Sequence, residues 1–357
     1  GDIVNYDAMR RYLEEQNVYF KSDNDGEILV KYIAWKVMRQ GEGIIEAIRH
    51  LMHDVKGAYS TVLCTRDSLY MFRDPHSIRP MVWGKMEDGT VVVASESCAL
   101  DTLGVKSRKE IPAAGIVKVS AEGIRIIQND PLLYRESLRP KHCIFEHVYY
   151  SRPDSHHFGE DVYKVREKIG AALAKADGKI EADYVVPIPD SANFIGLGYS
   201  NHSGIPLSLG LIRNHYVGRS FTETKQAIRD EAVRRKYNLL PHFFEGKSIV
   251  LIDDSIIRGT TIRKIVDLIK PSGVREVHLR IGSPEVRYGC YYGIDTPSRD
   301  ELFMNKYSVD EICERTGVDS LKYLQIDDLL GCVKERDDYC LACFNGDYPV
   351  KNDGEFV

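Results

Sequence analysis

The run Ile249-Val250-Leu251-Ile252-Asp253-Asp254-Ser255-Ile256-Ile257-Arg258-Gly259-Thr260-Thr261 takes an apolar stretch to two carboxylates and then into a hydroxyl- and glycine-rich turn. Four consecutive apolar residues suit a parallel strand covered on both faces, because such a strand lacks the alternation of a half-exposed one. The amphipathic run from Ile262 to Ile269 then predicts a helix, capped by Thr260 or Thr261. Loop amides and the positive helix end would face the carboxyl edge of the strand, where an anion belongs.

Two acids beside an anion site are consistent with a sugar phosphate: carboxylates accept ribose hydroxyls or hold magnesium, while loop amides take the phosphate. An ordinary buried strand with a solvated Asp-Asp turn would explain the apolar run but not Gly259-Thr260-Thr261 at this spacing. The stretch resembles the phosphoribosyl pyrophosphate (PRPP) motif of the type I phosphoribosyltransferases. That resemblance implies PRPP contacts from Asp253, Asp254, Ser255, Ile256, Arg258, Gly259, Thr260 and Thr261, with Arg258 also catalytic.

The chain has 357 residues, 43% of them hydrophobic, which predicts two domains. A net charge of -5 gives no general attraction to nucleic acid or membrane, so an anion site has to be built locally. No apolar run approaches the roughly 18 to 20 residues of a membrane span, and no signal pattern opens the sequence. A soluble, cytoplasmic protein is expected, without nucleic-acid or membrane partners.

In the first third, helical spacing runs from Tyr6 to Leu13, Glu27 to Met38 and Ile44 to Met52. Strand-like runs follow at Ala58 to Thr65, Ser68 to Arg73, Met81 to Gly84 and Thr90 to Ser95. Helices followed by hairpins predict an α+β layered domain. Asp74-Pro75-His76-Ser77-Ile78-Arg79-Pro80, Ala94-Ser95-Glu96-Ser97 and the opening Gly1 to Tyr6 resemble the N-terminal-nucleophile glutaminase domain of the glutamine PRPP amidotransferases, with Ser77 where that family usually has Gly. The resemblance implies glutamine contacts at Gly1 and at Asp25, the latter holding the α-amino group; a helix N-cap is the plainer role for Asp25.

Charged, Pro-containing sequence from Pro131 to Pro140 marks a boundary before Cys143-Ile144-Phe145-Glu146-His147-Val148-Tyr149-Tyr150-Ser151-Arg152-Pro153, which is similar to the same family's interdomain joint. Beyond it a helix from Val162 to Ala176, a strand from Tyr184 to Pro189, a helix start at Ala192 to Tyr199, and strands at Ile249 to Asp253 and Val277 to Gly282 alternate. That pattern is a doubly wound parallel α/β sheet. The division expected is 1–135 glutaminase-like, 136–330 phosphoribosyltransferase and 331–357 a C-terminal cluster-binding segment. By resemblance Ser191 joins Asp253 and Asp254 around magnesium and pyrophosphate, and Arg213 binds PRPP. Basic residues crowd the segment from Arg213 to Lys236. As a mobile flap it would bring cations, Lys225 and Arg229 catalytic among them, to the departing pyrophosphate.

Cys340-Leu341-Ala342-Cys343 suits two thiolates on one metal centre, a spacing shared by iron-sulfur, zinc and redox sites. Cys143 and Cys290 match the other two positions in the cluster-bearing branch of the family, which implies an iron-sulfur cluster, 4Fe-4S, with magnesium as the second cofactor. Cys64, Cys98, Cys313 and Cys332 read as small buried residues. The family's glutaminase begins with a free N-terminal Cys and Gly1 supplies no thiol. Ammonia is therefore expected as this polypeptide's nitrogen source, glutamine being the donor in the full enzyme and phosphoribosylamine, pyrophosphate and glutamate its products. A PRPP-binding regulatory protein would not need the flap or the cysteines, and a nucleobase phosphoribosyltransferase would need an aromatic base pocket that the sequence does not offer. A homo-oligomer is expected.

Overall fold

The computed structural model describes residues 2–127, 139–216, 236–240 and 242–351. Its N-terminal part is layered. Helices Gly26–Gln40 and Ile44–Asp54 bury Ile28, Tyr32, Ile48 and Leu51 against Tyr70, Phe72 and Ile116 of an antiparallel sheet. That sheet runs Ser60–Cys64, Ser68–Arg73, Ile116–Ser120, Gly123–Ile127 in spatial order. Its other face meets a three-stranded sheet, Val91–Ala94, Val82–Lys85, Ser107–Glu110, across Met71, Met81, Trp83 and Val117. Helix Ser97–Thr102 closes the far side by burying Leu100 on Val82 and Val105.

The expected helices and strands are present within a few residues, with two corrections. The single strand from Ala58 to Thr65 is broken at Tyr59: Gly57–Ala58 pairs with Asp2–Ile3, while Ser60–Cys64 pairs with Ser68–Arg73. Gly57 permits this, since its φ is +141° and a Cβ there would stand 2.3 Å from the Asp2 carbonyl. The strands Ser107–Glu110, Ile116–Ser120 and Gly123–Ile127 went unpredicted. Ser-Arg-Lys-Glu at 107–110 carries no apolar alternation and becomes a strand only because the edge of Val82–Lys85 is there to pair with.

The C-terminal part has a parallel sheet in the order Tyr184–Pro187, Ser248–Asp253, Glu276–Ile281, Ser320–Tyr323. All six residues of Ser248–Asp253 are buried, as a strand covered on both faces requires. Val250 and Ile252 face helices Val162–Asp177 and Asn193–Ser203. Ile249 and Leu251 face helices Thr260–Ile269 and Val309–Thr316.

The first helix pair packs through glycine. A Cβ on Gly170 would lie 1.9 Å from the Ile195 carbonyl oxygen, and one on Gly198 the same distance from that of Glu167, so the two backbones touch. Gly170→Ala is expected to cost about 3 kcal/mol, because the helices have to part and the sheet beneath them loses its cover. Urea unfolding checks it, and a midpoint unchanged from wild type would contradict the close approach.

Candidate active site and cysteine pocket

The central strand delivers Asp253 and Asp254 to the carboxyl edge of the sheet, 7% and 4% exposed. Beside it the chain leaving Tyr184–Pro187 is tied in by the Ile188 N–H donating to the Ile252 carbonyl at 2.8 Å, so Pro189-Asp190-Ser191 forms the adjacent turn. The Ser191 hydroxyl donates to Asp254 Oδ1 at 2.5 Å and that of Ser255 to Oδ2 at 2.7 Å, while Asp253 Oδ1 accepts the Asp254 N–H at 2.9 Å. Four of the expected metal and phosphate residues, Ser191, Asp253, Asp254 and Ser255, thus meet in one hydrogen-bonded group. Arg213, at the end of strand Leu211–Arg213, is also brought there and pairs with Asp190.

The predicted threonine cap is corrected. Gly259, at φ 70°, holds the N-cap position, and no side chain caps the helix Thr260–Ile269. A left-handed residue turns the loop sharply enough to start the helix by itself. Gly259 has a second constraint, since a Cβ would lie 2.6 Å from the Phe303 ring. Arg258, Thr260 and Thr261 are exposed on the open side of this loop, and Ile256 is buried beneath it. Lys225 and Arg229 lie outside the described residues, as does Gly1.

Sequence reasoning missed Arg166, Asp190 and Tyr237. Arg166, 1% exposed, donates to the carbonyls of His147 and Ser151 at 2.8 and 2.7 Å, and its charge reaches Asp254. Tyr237 donates its hydroxyl to the Pro189 carbonyl at 3.3 Å. Nothing around Arg166 in the sequence marks it; only helix packing brings it to the sheet edge.

Burial pushes the Asp253 carboxyl well above the ordinary range, and the neighbouring Asp254 pushes the same way. Asp254 is also raised by burial, although Ser191, Ser255 and Arg166 pull it down. Groups raised in the fold stabilise it below the unfolded value and cease to do so as pH rises through the folded value. The Asp253–Asp254 pair is therefore expected to contribute less stability to the metal-free protein as pH climbs above about 4, and a divalent cation bound there should restore more of that contribution the higher the pH. Melting temperatures across pH, with and without magnesium, check this; a magnesium effect independent of pH would contradict it.

In the N-terminal part Asp25 sits at the start of helix Gly26–Gln40 but makes no side-chain cap. The neighbouring turn is held by others: Asn24 Oδ1 accepts the Gly26 N–H at 2.9 Å, and Glu27 accepts those of Lys21 and Ser22. Asp25 Oδ2 instead accepts the Ile3 N–H at 3.2 Å, which aims the carboxylate at the first strand of the chain.

The second constellation is the cysteines. Strand His142–Cys143 pairs in parallel with Tyr339–Cys340, so Cys143 and Cys340 are register partners. Cys343 follows on helix Ala342–Asn345, and all four of Cys143, Cys290, Cys340 and Cys343 line one apolar pocket with Ile144, Phe145 and Tyr292. Burial raises every one of these thiols, Cys340 to about 12. Among the described residues no three Cys, His, Asp or Glu side chains converge on a single ion. Of the other four cysteines Cys332 is buried as expected, but Cys64 is exposed at the end of a strand. No helix among the described residues is long and apolar enough to cross a membrane.

Two family models match, the glutamine amidotransferase domain over residues 1–102 and the phosphoribosyl transferase domain over 160–283. Amidophosphoribosyltransferase 1, chloroplastic, of Arabidopsis thaliana is 44% identical over 98% of this chain, which spans 61% of that protein. The amidophosphoribosyltransferase of Archaeoglobus fulgidus is 39% identical over 99% of the chain and 77% of its own length. The chain thus spans about three fifths of the Arabidopsis relative and about three quarters of the archaeal one. Among solved structures, the glutamine PRPP amidotransferase of B. subtilis complexed with ADP and GMP superimposes with a TM-score of 0.88 at 35% identity, over the whole of this chain and 77% of the other. With the acids at the sheet edge, the layered N-terminal part and this breadth of likeness, the chain belongs to the amidophosphoribosyltransferase family.

Proposed function

We propose that this chain transfers nitrogen to C1 of PRPP, releasing pyrophosphate and forming 5-phosphoribosylamine at the first step of purine biosynthesis. The nitrogen is ammonia, taken in the full enzyme from glutamine, which leaves as glutamate. The observation that carries this reading is the Ser191–Asp254–Ser255 hydrogen-bonded group with Asp253 at the carboxyl edge of the central strand, next to the loop that opens the Thr260–Ile269 helix. Asp253, Asp254 and Ser191 suit a hard cation, being oxygen donors with two carboxylates whose ionisation burial opposes and a bound cation would favour. A magnesium ion there would neutralise the departing pyrophosphate. The loop residues 255–261 receive the phosphate of PRPP, with Ser255, Ile256, Gly259, Thr260 and Thr261 lending mainly backbone and hydroxyls. Arg213 and Arg258 add positive charge, and C1 develops oxocarbenium character as the bond to pyrophosphate breaks. Asp25 fits the α-amino group of glutamine, since its carboxylate is not spent on the helix cap.

The division at 135/136 and 330/331 belongs to the same proposal, as do the flap roles of Lys225 and Arg229. Lys225→Ala is expected to lower kcat by about tenfold or more while PRPP affinity changes little, because a flap that closes on the leaving group acts in the transition state. Equal losses in both would argue against closure.

Cys143, Cys290, Cys340 and Cys343 suit an iron-sulfur cluster: four thiols around one apolar hollow, with backbone N–H groups of Tyr292 and Ala342 directed at the sulfurs of Cys290 and Cys340. Such a cluster would tie the joint at residue 143 to the end of the described chain. The eight free cysteines support a reducing compartment such as the cytoplasm.

The test is the purified chain with PRPP, magnesium and ammonium, following pyrophosphate release and trapped phosphoribosylamine. Product formation that needs all three is the expected result. Intact PRPP binding without turnover would favour a regulatory PRPP-binding protein and overturn this reading.

A further inference from the structure

The backbone of the segment Asp74-Pro75-His76-Ser77-Ile78-Arg79-Pro80 is locked against the cysteine pocket. The Ile78 carbonyl accepts the Cys143 N–H at 2.9 Å, and the Arg79 carbonyl accepts the Ser60 hydroxyl at 3.1 Å. From this fixed position the Arg79 side chain reaches three partners. One terminal nitrogen stands 3.8 Å from Cys143 Sγ, the other pairs with Glu146 Oε1 at 3.0 Å, and the guanidinium lies 5.2 Å from the centre of the Tyr150 ring. Glu146 is in turn held by the Ser151 hydroxyl, which donates to its carboxylate at 2.5 Å. The side chains of Arg79 and Glu146 are only 20% and 4% exposed, so the pair is shielded from screening.

The contact differs in kind from those at the neighbouring sulfurs. Cys290 receives a neutral backbone N–H from Tyr292 at 3.3 Å, whereas Cys143 faces a full positive charge whose influence extends to Cys290 as well. Thiolate ligands concentrate negative charge in an apolar hollow, and a cation within contact of one ligand sulfur offsets it.

We infer that Arg79 is an outer-shell residue of the cluster site, setting its reduction potential and its retention of iron through the Cys143 sulfur, with Glu146 fixing the guanidinium in place. The inference rests on the reading of the four cysteines as cluster ligands. It makes Arg79 a positioning residue, with no contact to substrate required of it. A reduced cluster carries one more negative charge than an oxidised one, so the nearby cation favours reduction; removing it favours the oxidised state.

The test uses the full chain, reconstituted with iron and sulfide under anaerobic conditions, as wild type, Arg79→Gln, Arg79→Lys and the Arg79→Gln/Glu146→Gln double variant. The double variant is needed because the single change leaves a buried carboxylate uncompensated and can damage the fold for that reason alone. Readouts are the midpoint potential in a reductive titration followed by electron paramagnetic resonance, and the rate of iron loss to a chelator. Arg79→Gln is expected to have a more negative potential and to lose iron about tenfold faster or more. Arg79→Lys should return most of the potential. The double variant should melt near wild type yet still lose iron fast. Potential and iron loss unchanged in Arg79→Gln and in the double variant would overturn the inference. A wild type that takes up no iron would reject the cysteine reading itself, and this inference with it.

Discussion

Asp254→Asn is expected to lower kcat/KM for PRPP roughly 10²- to 10³-fold with the fold intact, and Asp253→Asn to do the same. Both carboxylates are buried at the sheet edge, and burial raises both. An amide keeps the shape and removes the charge that a cation on pyrophosphate needs. In Asp254→Asn the hydroxyls of Ser191 and Ser255 still have partners, because each can turn to accept where it now donates. In Asp253→Asn the remaining oxygen can still accept the Asp254 N–H. Stability should therefore not fall. In the absence of metal at neutral pH it should rise in Asp253→Asn, since a raised acid that must ionise has been replaced by a neutral group. Steady-state kinetics at varied PRPP and magnesium, together with melting curves of the metal-free proteins, measure both halves. Wild-type kinetics in either variant would remove the acids from the transfer site.

Cys343→Ser is expected to abolish cluster uptake and destabilise the protein by several kcal/mol relative to the loaded wild type, as loss of a structural metal centre does. Cys343 lines the pocket from helix Ala342–Asn345, beside the Cys143–Cys340 strand pair. The four proposed ligands come from three distant parts of the chain. Losing the centre frees the end of the described residues from the joint at residue 143, and a long loop regains its entropy. Anaerobic purification, visible absorbance, iron and sulfide content and thermal melting check it. Colourless wild-type protein, or one carrying stoichiometric zinc, would contradict the cluster; loaded wild type melting no higher than Cys343→Ser would contradict its structural role.

Arg166 and Asp25 show how far local pattern reaches. A buried arginine in a helix sequence is indistinguishable from a surface one until packing places it beside the carbonyls of His147 and Ser151, 19 and 15 residues away. Asp25 has an N-cap's sequence position, and only in the fold does its carboxylate turn to Ile3 while Asn24 and Glu27 hold the turn. The same competition decided the Thr260 cap, where backbone freedom at Gly259 made a hydroxyl unnecessary.

By itself the sequence determined the elements whose signals are local and strong: the strand built on the apolar run from Ile249 to Ile252, the acids at its end, the amphipathic helix after the glycine turn, and the cysteine pair at 340 and 343. A strand buried on both faces, an amphipathic helix and a short-range pair of thiols are each written within a dozen residues. Only the tertiary structure decided what depends on partners far along the chain. It made Ser107–Glu110 a strand by offering an edge to pair with, broke the chain at Tyr59 between two sheets, and set the register that puts Cys143 opposite Cys340. It also brought Arg79 to the Cys143 sulfur and Arg166 to the acid site. Pairing and packing reward long-range proximity, and proximity is a property of the folded chain as a whole.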